Sequence, residues 1–406
     1  MTSDDHAIDS SVFRRQLESE LTGNILPFWM NHMVDKVNGG FYGALTNDLQ
    51  ILNEVPRSAI LCARTLWTYA TAYRKLGGEE YLSMARWAYE YLTHTFLDPE
   101  YGGVYWQVDS KGKPVADRKH HYAQAFAIYG FSEYFRATQE PESLVLAQGL
   151  FRLLEEYALE TVHGGYTEGS SRDWGALADM RLSNRDLNCR KSMNTMLHVL
   201  ESYTNLLRVW ENDQLRGQHK ALIKIFLKHI LDPRTGHFKL FFDDSWNSLS
   251  GIVSYGHDIE GSWLLWEAAE VQDDEVLREE VRQSTLKLAE AVYRDGLEPD
   301  GSLLEEGGPD GDVDADKEWW TQAEGMVGFY NAYQLTGQER YAQVAIRLWA
   351  YIQDKLVDRV HGDWIKRLRR DGTPVLEGYK TGPWECPYHH SRACFEMLDR
   401  LGSNHK

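Results

Sequence analysis

Apolar residues return every three to five positions along much of the chain. Val12, Phe13, Leu17, Leu21, Ile25 and Trp29 form one such run, Leu61, Leu66, Trp67, Tyr69 and Tyr73 a second, and Met84, Trp87, Ala88 and Tyr91 a third. This is the helical period, and it predicts amphipathic helices, with Gly77-Gly78 as the stop between the second and third. A longer period overlies the short one. Gly39-Gly40-Phe41-Tyr42, Gly102-Gly103-Val104-Tyr105 and Gly164-Gly165-Tyr166 share a glycine pair followed by an aromatic residue. Gly236-His237-Phe238, Gly301-Ser302-Leu303 and Gly362-Asp363-Trp364 are weaker copies. The sites recur at intervals of roughly 61 to 72 residues, so six units nearly fill the chain. Around them, stretches such as GGVYWQVDSKGKP and TGHFKLFFDDSW mix aromatic and β-branched residues with turn formers, which predicts short hairpins.

Each unit therefore holds two helices and one hairpin. Six helical hairpins of this size close into a ring, six inner helices walling a cavity and six outer helices covering them. The expected fold is an all-α (α/α)6 barrel with short β-hairpins at one end. An open α-solenoid is the rival, but solenoid repeats run to about 33–47 residues, well short of these units. No Pro/Ser-rich linker or low-complexity segment interrupts the chain, so residues 1–406 are expected to form a single catalytic domain.

Charge narrows the function. The 406 residues carry 43 Lys and Arg against 61 Asp and Glu, a formal charge of −18. Nucleic acid and anionic membrane surfaces are poor partners for such a field. The start, MTSDDHAIDSS, lacks the basic and apolar regions of a secretion signal, and no apolar run reaches the length of a membrane span. Cys62, Cys189, Cys386 and Cys394 are scattered and form no CxxC pair. A soluble cytoplasmic protein, monomeric or weakly self-associating and acting on a small molecule, is the expectation.

The reactive residues share a phase. Roughly 18 to 35 residues after each glycine site, near the start of the expected inner helix, stand Arg57 with Arg64, His120-His121-Tyr122 with Gln124, and Asn194 with His198. The later units add His257-Asp258-Ile259-Glu260, Trp319-Trp320 with Gln322 and Glu324, and Trp384 with Tyr388-His389-His390 and Arg392. In a closed ring all would face one pocket. Other histidines (His6, His32, His94, His219, His229 and His405) sit beside polar neighbours or near an end and read as surface. His198, His257 and His389 stand apart because they occupy similar positions in three units. Trp384, between Pro383 and Cys386-Pro387, belongs to an extended segment and suits a sugar ring, which offers axial C–H groups to an indole face. Arg64 reads either as a structural ion-pair partner or as a substrate clamp. Glu260 and Glu324 read either as helix-dipole partners or as orienters of histidine.

Three imidazoles could ligate zinc, but HExxH is absent, and so are GxGxxG, the P-loop and GxSxG. No metal and no cofactor is expected. A glycosidase would need a controlled pair of carboxylates, and Asp186, Glu260 and Glu324 do not outnumber the imidazoles. Histidine, titrating near neutrality, suits the removal of a proton beside a carbonyl and its return.

RKSMNTMLHVLESY (190–203), SYGHDIEGSWLL (254–265), WWTQAEGMVGFYNAYQ (319–334) and GPWECPYHHSRAC (382–394) closely resemble the cellobiose 2-epimerases of the N-acylglucosamine 2-epimerase superfamily. ILPFW, NGGFYG, GGVYW and RKHHYAQAFAIYG extend the resemblance across the chain. It implies an (α/α)6 barrel and cofactor-independent epimerisation at C2 of the reducing-end glucose of β-1,4-linked disaccharides, through a cis-enediolate. It further implies His257 and His389 as the acid/base pair, with Arg64, Asn194 and His198 holding the oxygens of the opened sugar. Glu260 would orient His257, Tyr122, Asp186 and Glu324 would serve the substrate, and Trp320 and Trp384 would be platforms for the two sugar rings. The chain departs from the family at His390-Ser391, where Asn-Gly is common, and at His121, where Val or Thr is usual. His390 would then either shift the pKa of His389 or face solvent. The alternatives are a mannose 2-epimerase or aldose-ketose isomerase acting on monosaccharides, and a non-catalytic sugar- or protein-binding relative.

Overall fold

Two kinds of helix alternate along the chain because two kinds of sequence do. A computed structural model describes residues 10–308 and 313–403. The helices buried around most of their circumference lie inside: α3 (Ala59–Leu76), α5 (His121–Thr138), α7 (Met193–Leu207), α9 (Tyr255–Glu270), α11 (Trp319–Thr336) and α13 (Tyr388–Ser403). Every residue of α3 from Ala59 to Ala72 is buried, as an all-round apolar helix requires. The amphipathic helices lie outside. These are α1 (Ser10–Glu20) running through a π-helical turn into α2 (Leu26–His32), then α4 (Glu79–Tyr91), α6 (Pro141–Leu153), α8 (Asp213–Ile225), α10 (Glu275–Asp295) and α12 (Glu339–Tyr351). On α8 the buried positions are Leu215, His219, Leu222 and Ile223, one stripe of the helix. Each inner helix packs on the next, and α13 returns to α3, so the ring of the (α/α)6 barrel is closed.

All six glycine sites are hairpin turns that follow an outer helix. The bridges Val34–Phe41, Leu97–Val104, Leu159–Tyr166, Leu231–Phe238, Leu297–Leu303 and Val357–Trp364 close them. Glycine is required where the turn meets a neighbour: at Gly40, with φ at 65°, an added Cβ would stand 2.2 Å from the ring of Tyr91.

A second repeat, not anticipated from the sequence, ties hairpin to inner helix. An acidic residue opens each turn, and in five units it holds a cation placed just before the next inner helix. The pairs are Asp35 with Arg57, Asp98 with Lys119 (2.9 Å), Glu160 with Lys191 (3.0 Å), Glu298 with Lys317, and Asp358 with Lys380 (2.6 Å). The cations are buried, so each pair pins a turn at a cost that would appear in full if one partner were removed. Asp98 illustrates the balance: burial pushes its carboxyl up, but Arg172 and Lys119 hold it well below the ordinary range.

These ties correct several expectations. Arg57 belongs to such a pair and not to the cavity. Gln124 grips the backbone of Val104 through both its amide groups, Gln322 does the same to Leu303, and Asp258 accepts the amide of Phe238. All three point away from the pocket they were expected to line, because a helix residue one turn past the start faces the hairpin. His121 is buried between the carbonyl of Thr167 and Ser170. His390 neither faces solvent nor acts on His389; it is buried against Asp363 at 2.6 Å and packs on Trp364. His219, read as surface, is buried between Thr204 and Gln272, since a helix stripe can accept an imidazole whose two nitrogens are both paired. His6 and His405 lie outside the described residues. The four cysteines are free and buried. No described helix is long and apolar enough to cross a membrane.

Candidate active site

The starts of the inner helices converge on one end of the ring. Ser192 and Ser254 cap α7 and α9, accepting the amides of Thr195 and His257; these caps fix the first turns that carry Asn194, His198 and His257. His257 and Asn194 line a cleft together with Asp186, Met180, Leu240 and Glu306. Asp186 lies in the long connection before α7, where its carboxylate accepts the amide of Ser183 at 2.7 Å. The Oδ1 of Asn194 is buried without a protein partner.

A cluster of aromatic rings stands next to His257. The rings of His257 and His389 both pack on the indole of Trp320, at 4.9 Å and 5.4 Å between centroids. His198 sits against Tyr122 and Phe126 at 4.9 Å and 4.8 Å, and Trp384 covers Tyr122 and Trp106 at 6.0 Å each. His120 lies in this wall, buried beside Trp106. Arg64 threads between Phe126 and Tyr388, donates to the Tyr122 hydroxyl at 2.7 Å and reaches the thiol of Cys386. Among the described residues no carboxylate pairs with it, and its Nε is buried unbonded. The ion-pair reading of Arg64 is thereby set aside; a buried guanidinium without a counter-ion is an anion-seeking group.

Each imidazole has one nitrogen tied. His257 Nδ1 meets Ser254 Oγ at 2.7 Å, His198 Nδ1 meets Glu201 Oε2 at 2.8 Å, and His389 Nδ1 meets Glu324 Oε1 at 2.7 Å. Among the described residues the three Nε2 atoms have no hydrogen-bond partner. The expectation for Glu260 is corrected here: it does not touch His257. The i, i+3 pairing foreseen on α9 occurs instead on α7, as His198–Glu201, while Glu260 turns across the ring to Arg392. Sequence reading missed Glu201 and Ser254, although both stand three residues from their histidines, where helix geometry puts side chains on one face.

Arg392 is the hub beneath the histidines. Its guanidinium bonds Glu201, Glu260, the Tyr388 hydroxyl and, at 2.7 Å, Glu324, and it stacks on Trp263 at 4.7 Å. Trp263 in turn donates to Glu324 at 3.1 Å. Glu260, Glu324 and His389 are, among the described residues, the group whose donor atoms could surround a metal. The Arg392 cation already bridges both carboxylates, so this donor set is electrostatically satisfied without one. The zinc trio of His198, His257 and His389 does not form such a group.

Burial governs the protonation. It lowers His257 to about 3, aided by His198 and Arg64, and drives His389 well below the ordinary imidazole value, aided by Arg64 and Arg392. Both rings are therefore neutral near pH 7. Burial and Glu324 lift Glu260 to about 7. It pushes Glu201 upward too, but Arg392 and His198 hold that carboxyl at about 2. Two neutral imidazoles on one indole thus stand beside an unpaired guanidinium and an aromatic wall, a combination of proton acceptors with a group able to stabilise negative charge.

The sequence profile of the family described as N-acylglucosamine 2-epimerase (GlcNAc 2-epimerase) matches residues 40–393. The chain is similar to a cellobiose 2-epimerase of Bacteroides fragilis, 46% identical over 388 residues that span 95% of this chain and 99% of that one. A cellobiose 2-epimerase of Ruminococcus albus is 39% identical, with 95% and 98% covered. The solved structure of the cellobiose 2-epimerase from Bacillus thermoamylovorans superposes with a TM-score of 0.92 at 39% identity, over 96% of this chain and 100% of that one.

Proposed function

The chain belongs to the N-acylglucosamine 2-epimerase family, and from that premise we propose that its residues 1–406 act as one catalytic domain that epimerises C2 of the reducing-end glucose of β-1,4-linked disaccharides. Cellobiose would become glucosyl-mannose and lactose epilactose. The observation that carries this reading is the pair of neutral imidazoles, His257 and His389, packed on one Trp320 indole and tied at Nδ1 by different partners.

The sugar ring opens first. His198, backed by Glu201, is suited to move the proton from the C1 hydroxyl to the ring oxygen, which exposes the aldehyde that acidifies C2–H. Nε2 of His257 then takes the C2 proton from a glucose unit, and the electron pair moves to the C1 oxygen to give a cis-enediolate. Arg64 and Asn194 hold the charged oxygens; such preorganised donors are worth roughly 3–4 kcal/mol each. After rotation about C2–C3, His389, which takes up a solvent proton at Nε2 as the enediolate charge develops beside it, supplies that proton to the opposite face to give the mannose unit, and His257 releases the proton taken from C2 to solvent. The Glu324 carboxylate on Nδ1 lets His389 carry that proton despite burial. Each transfer contributes on the order of 10²- to 10⁴-fold. Tyr122 and Asp186 bind hydroxyls, Trp320 and Trp384 bear the two sugar rings, and Glu260 with Glu324 fixes the floor. No step calls for a metal or a cofactor.

The test is conversion of cellobiose in heavy water, followed by analysis of deuterium at C2 of the product. One solvent deuteron at C2 of glucosyl-mannose is expected. Product without deuterium at C2, or turnover confined to free mannose and glucose, would overturn the chemistry or the substrate respectively.

A further inference from the structure

The five permanent ties between hairpin and inner helix leave one repeat out, and it is the repeat that carries His257. In four of the tied units the cation opens the two-residue strand before the inner helix, as in Arg57-Ser58, Lys119-His120, Lys191-Ser192 and Lys317-Glu318. In the fourth repeat that strand is Val253-Ser254. Its turn acid, Asp232, accepts the Arg234 amide at 2.9 Å, but among the described residues its cationic partner is the exposed Arg234 side chain at 3.7 Å. The glycine site differs as well: its second position is His237. This imidazole is buried and stands between two carboxylates, with Nδ1 at 2.7 Å from Asp258 and Nε2 at 2.9 Å from Asp295. Asp258 is the neighbour of His257 on the first turn of α9, and it also accepts the Phe238 amide at 2.8 Å. Asp295 ends the outer helix α10.

We propose that His237 is a positioning residue: as an imidazolium it staples the first turn of α9, and with it His257, to the end of α10, replacing the lysine or arginine tie of the other repeats. The proposal rests on the reading of His257 as the base. Only a doubly protonated ring can donate to both carboxylates at once. Around it, α9 presents Asp258 and the Tyr255 ring at 5.6 Å, α10 presents Asp295 and Arg294, and the hairpin adds the Thr235 carbonyl. Arg294 is spent on Asp295 and that carbonyl. The two acids outweigh burial and raise His237 above its ordinary value. A raised imidazole stabilises fully below the ordinary value near 6.5 and loses that contribution as pH climbs through the folded one. The staple therefore opens on the alkaline side, whereas a lysine would keep it shut.

The experiment combines kcat–pH profiles on cellobiose with hydrogen exchange of the peptide spanning residues 253–262, for the wild type, His237→Gln and Val253→Lys. In the wild type, protection of that peptide should fall with rising pH beyond the intrinsic base-catalysed rate, in step with an alkaline decline of kcat. His237→Gln should lower kcat on the order of tenfold, since small misplacement of a reacting group is costly, with KM within about twofold and the alkaline decline gone. Val253→Lys, which restores the common tie to Asp232, should move the decline to higher pH. Wild-type protection independent of pH overturns the proposal without any variant. So does His237→Gln with wild-type kcat and an unchanged alkaline limb, or with lost protection and full kcat. A wild type that protects the peptide as expected but leaves cellobiose unchanged would instead reject the reaction assigned to His257.

Discussion

Replacing Arg392 by Met removes the cation from among Glu201, Glu260 and Glu324 while keeping much of the side-chain volume that packs on Trp263 and Tyr388. All four groups are almost completely buried, so water cannot take the place of the guanidinium. Removing one partner of a buried pair costs about 3–5 kcal/mol. Unfolding entropy is near 2.1 cal/mol/K per residue, so for 406 residues each kcal/mol moves Tm by about 1.2 °C and the expected drop is about 4–6 °C. The sign with pH follows from burial, which pushes Glu201, Glu260 and Glu324 upward while Arg392 pulls all three down, so removing the cation raises them. A raised carboxyl costs stability above its ordinary value near 4.5, and the cost grows until pH passes its folded value. The variant should therefore lag the wild type most near pH 8 and least near pH 5, where its carboxylates can take protons. Scanning calorimetry at both pH values and a fixed scan rate measures this. The same variant should lose kcat on the order of 10²-fold, because Glu324 no longer holds His389 in register. A Tm within 1 °C of wild type at pH 8 would refute the claim that this cation balances the three acids.

Three further outcomes follow from single contacts. Ser254→Ala removes the hydroxyl on His257 Nδ1 and the α9 cap together; kcat should fall roughly tenfold and stability by about 1 kcal/mol, read from steady-state kinetics and urea unfolding, whereas Ser254→Thr should recover most of both. Arg64→Lys keeps the charge but loses the planar fork, and kcat/KM for cellobiose should drop by about 10²–10³ with a smaller change in KM; an equal loss in KM would mean that Arg64 only binds the ground state. Lys119→Met strands Asp98, which keeps Arg172 at 2.8 Å, so the cost should lie near the lower limit of about 3 kcal/mol. Because Asp98 is held low, that cost should shrink as pH falls through the acid range in a calorimetric series.

The repeat was legible because backbone geometry imposes it. A tight turn needs glycine wherever it occurs, so six glycine sites in register announced six hairpins, and the 3.6-residue period between them announced the helices. The histidines were legible for the same reason: their shared phase put them at the same end of the ring. The five acid–cation ties were equally regular in the sequence but carry no signal of burial, and a Lys or Arg before a helix reads as surface until the hairpin is seen to fold over it.

Partner choice was a different matter. The sequence alone determined the helical repeat, the hairpins and the end of the ring where chemistry gathers, because each depends on residues close together in the chain. Only the closed ring decided that Glu260 would leave His257 for Arg392, that Ser254 would hold His257 instead, that Gln124, Gln322 and Asp258 would grip hairpins, and that His390 would be sealed against Asp363. The longest of these pairings, Glu260 with Arg392, joins α9 to α13 across 132 residues of sequence, and the others join an inner helix to the turn or strand packed against it. Which charge meets which is set by the distances across the ring and by the cost of leaving any buried charge without a counterpart.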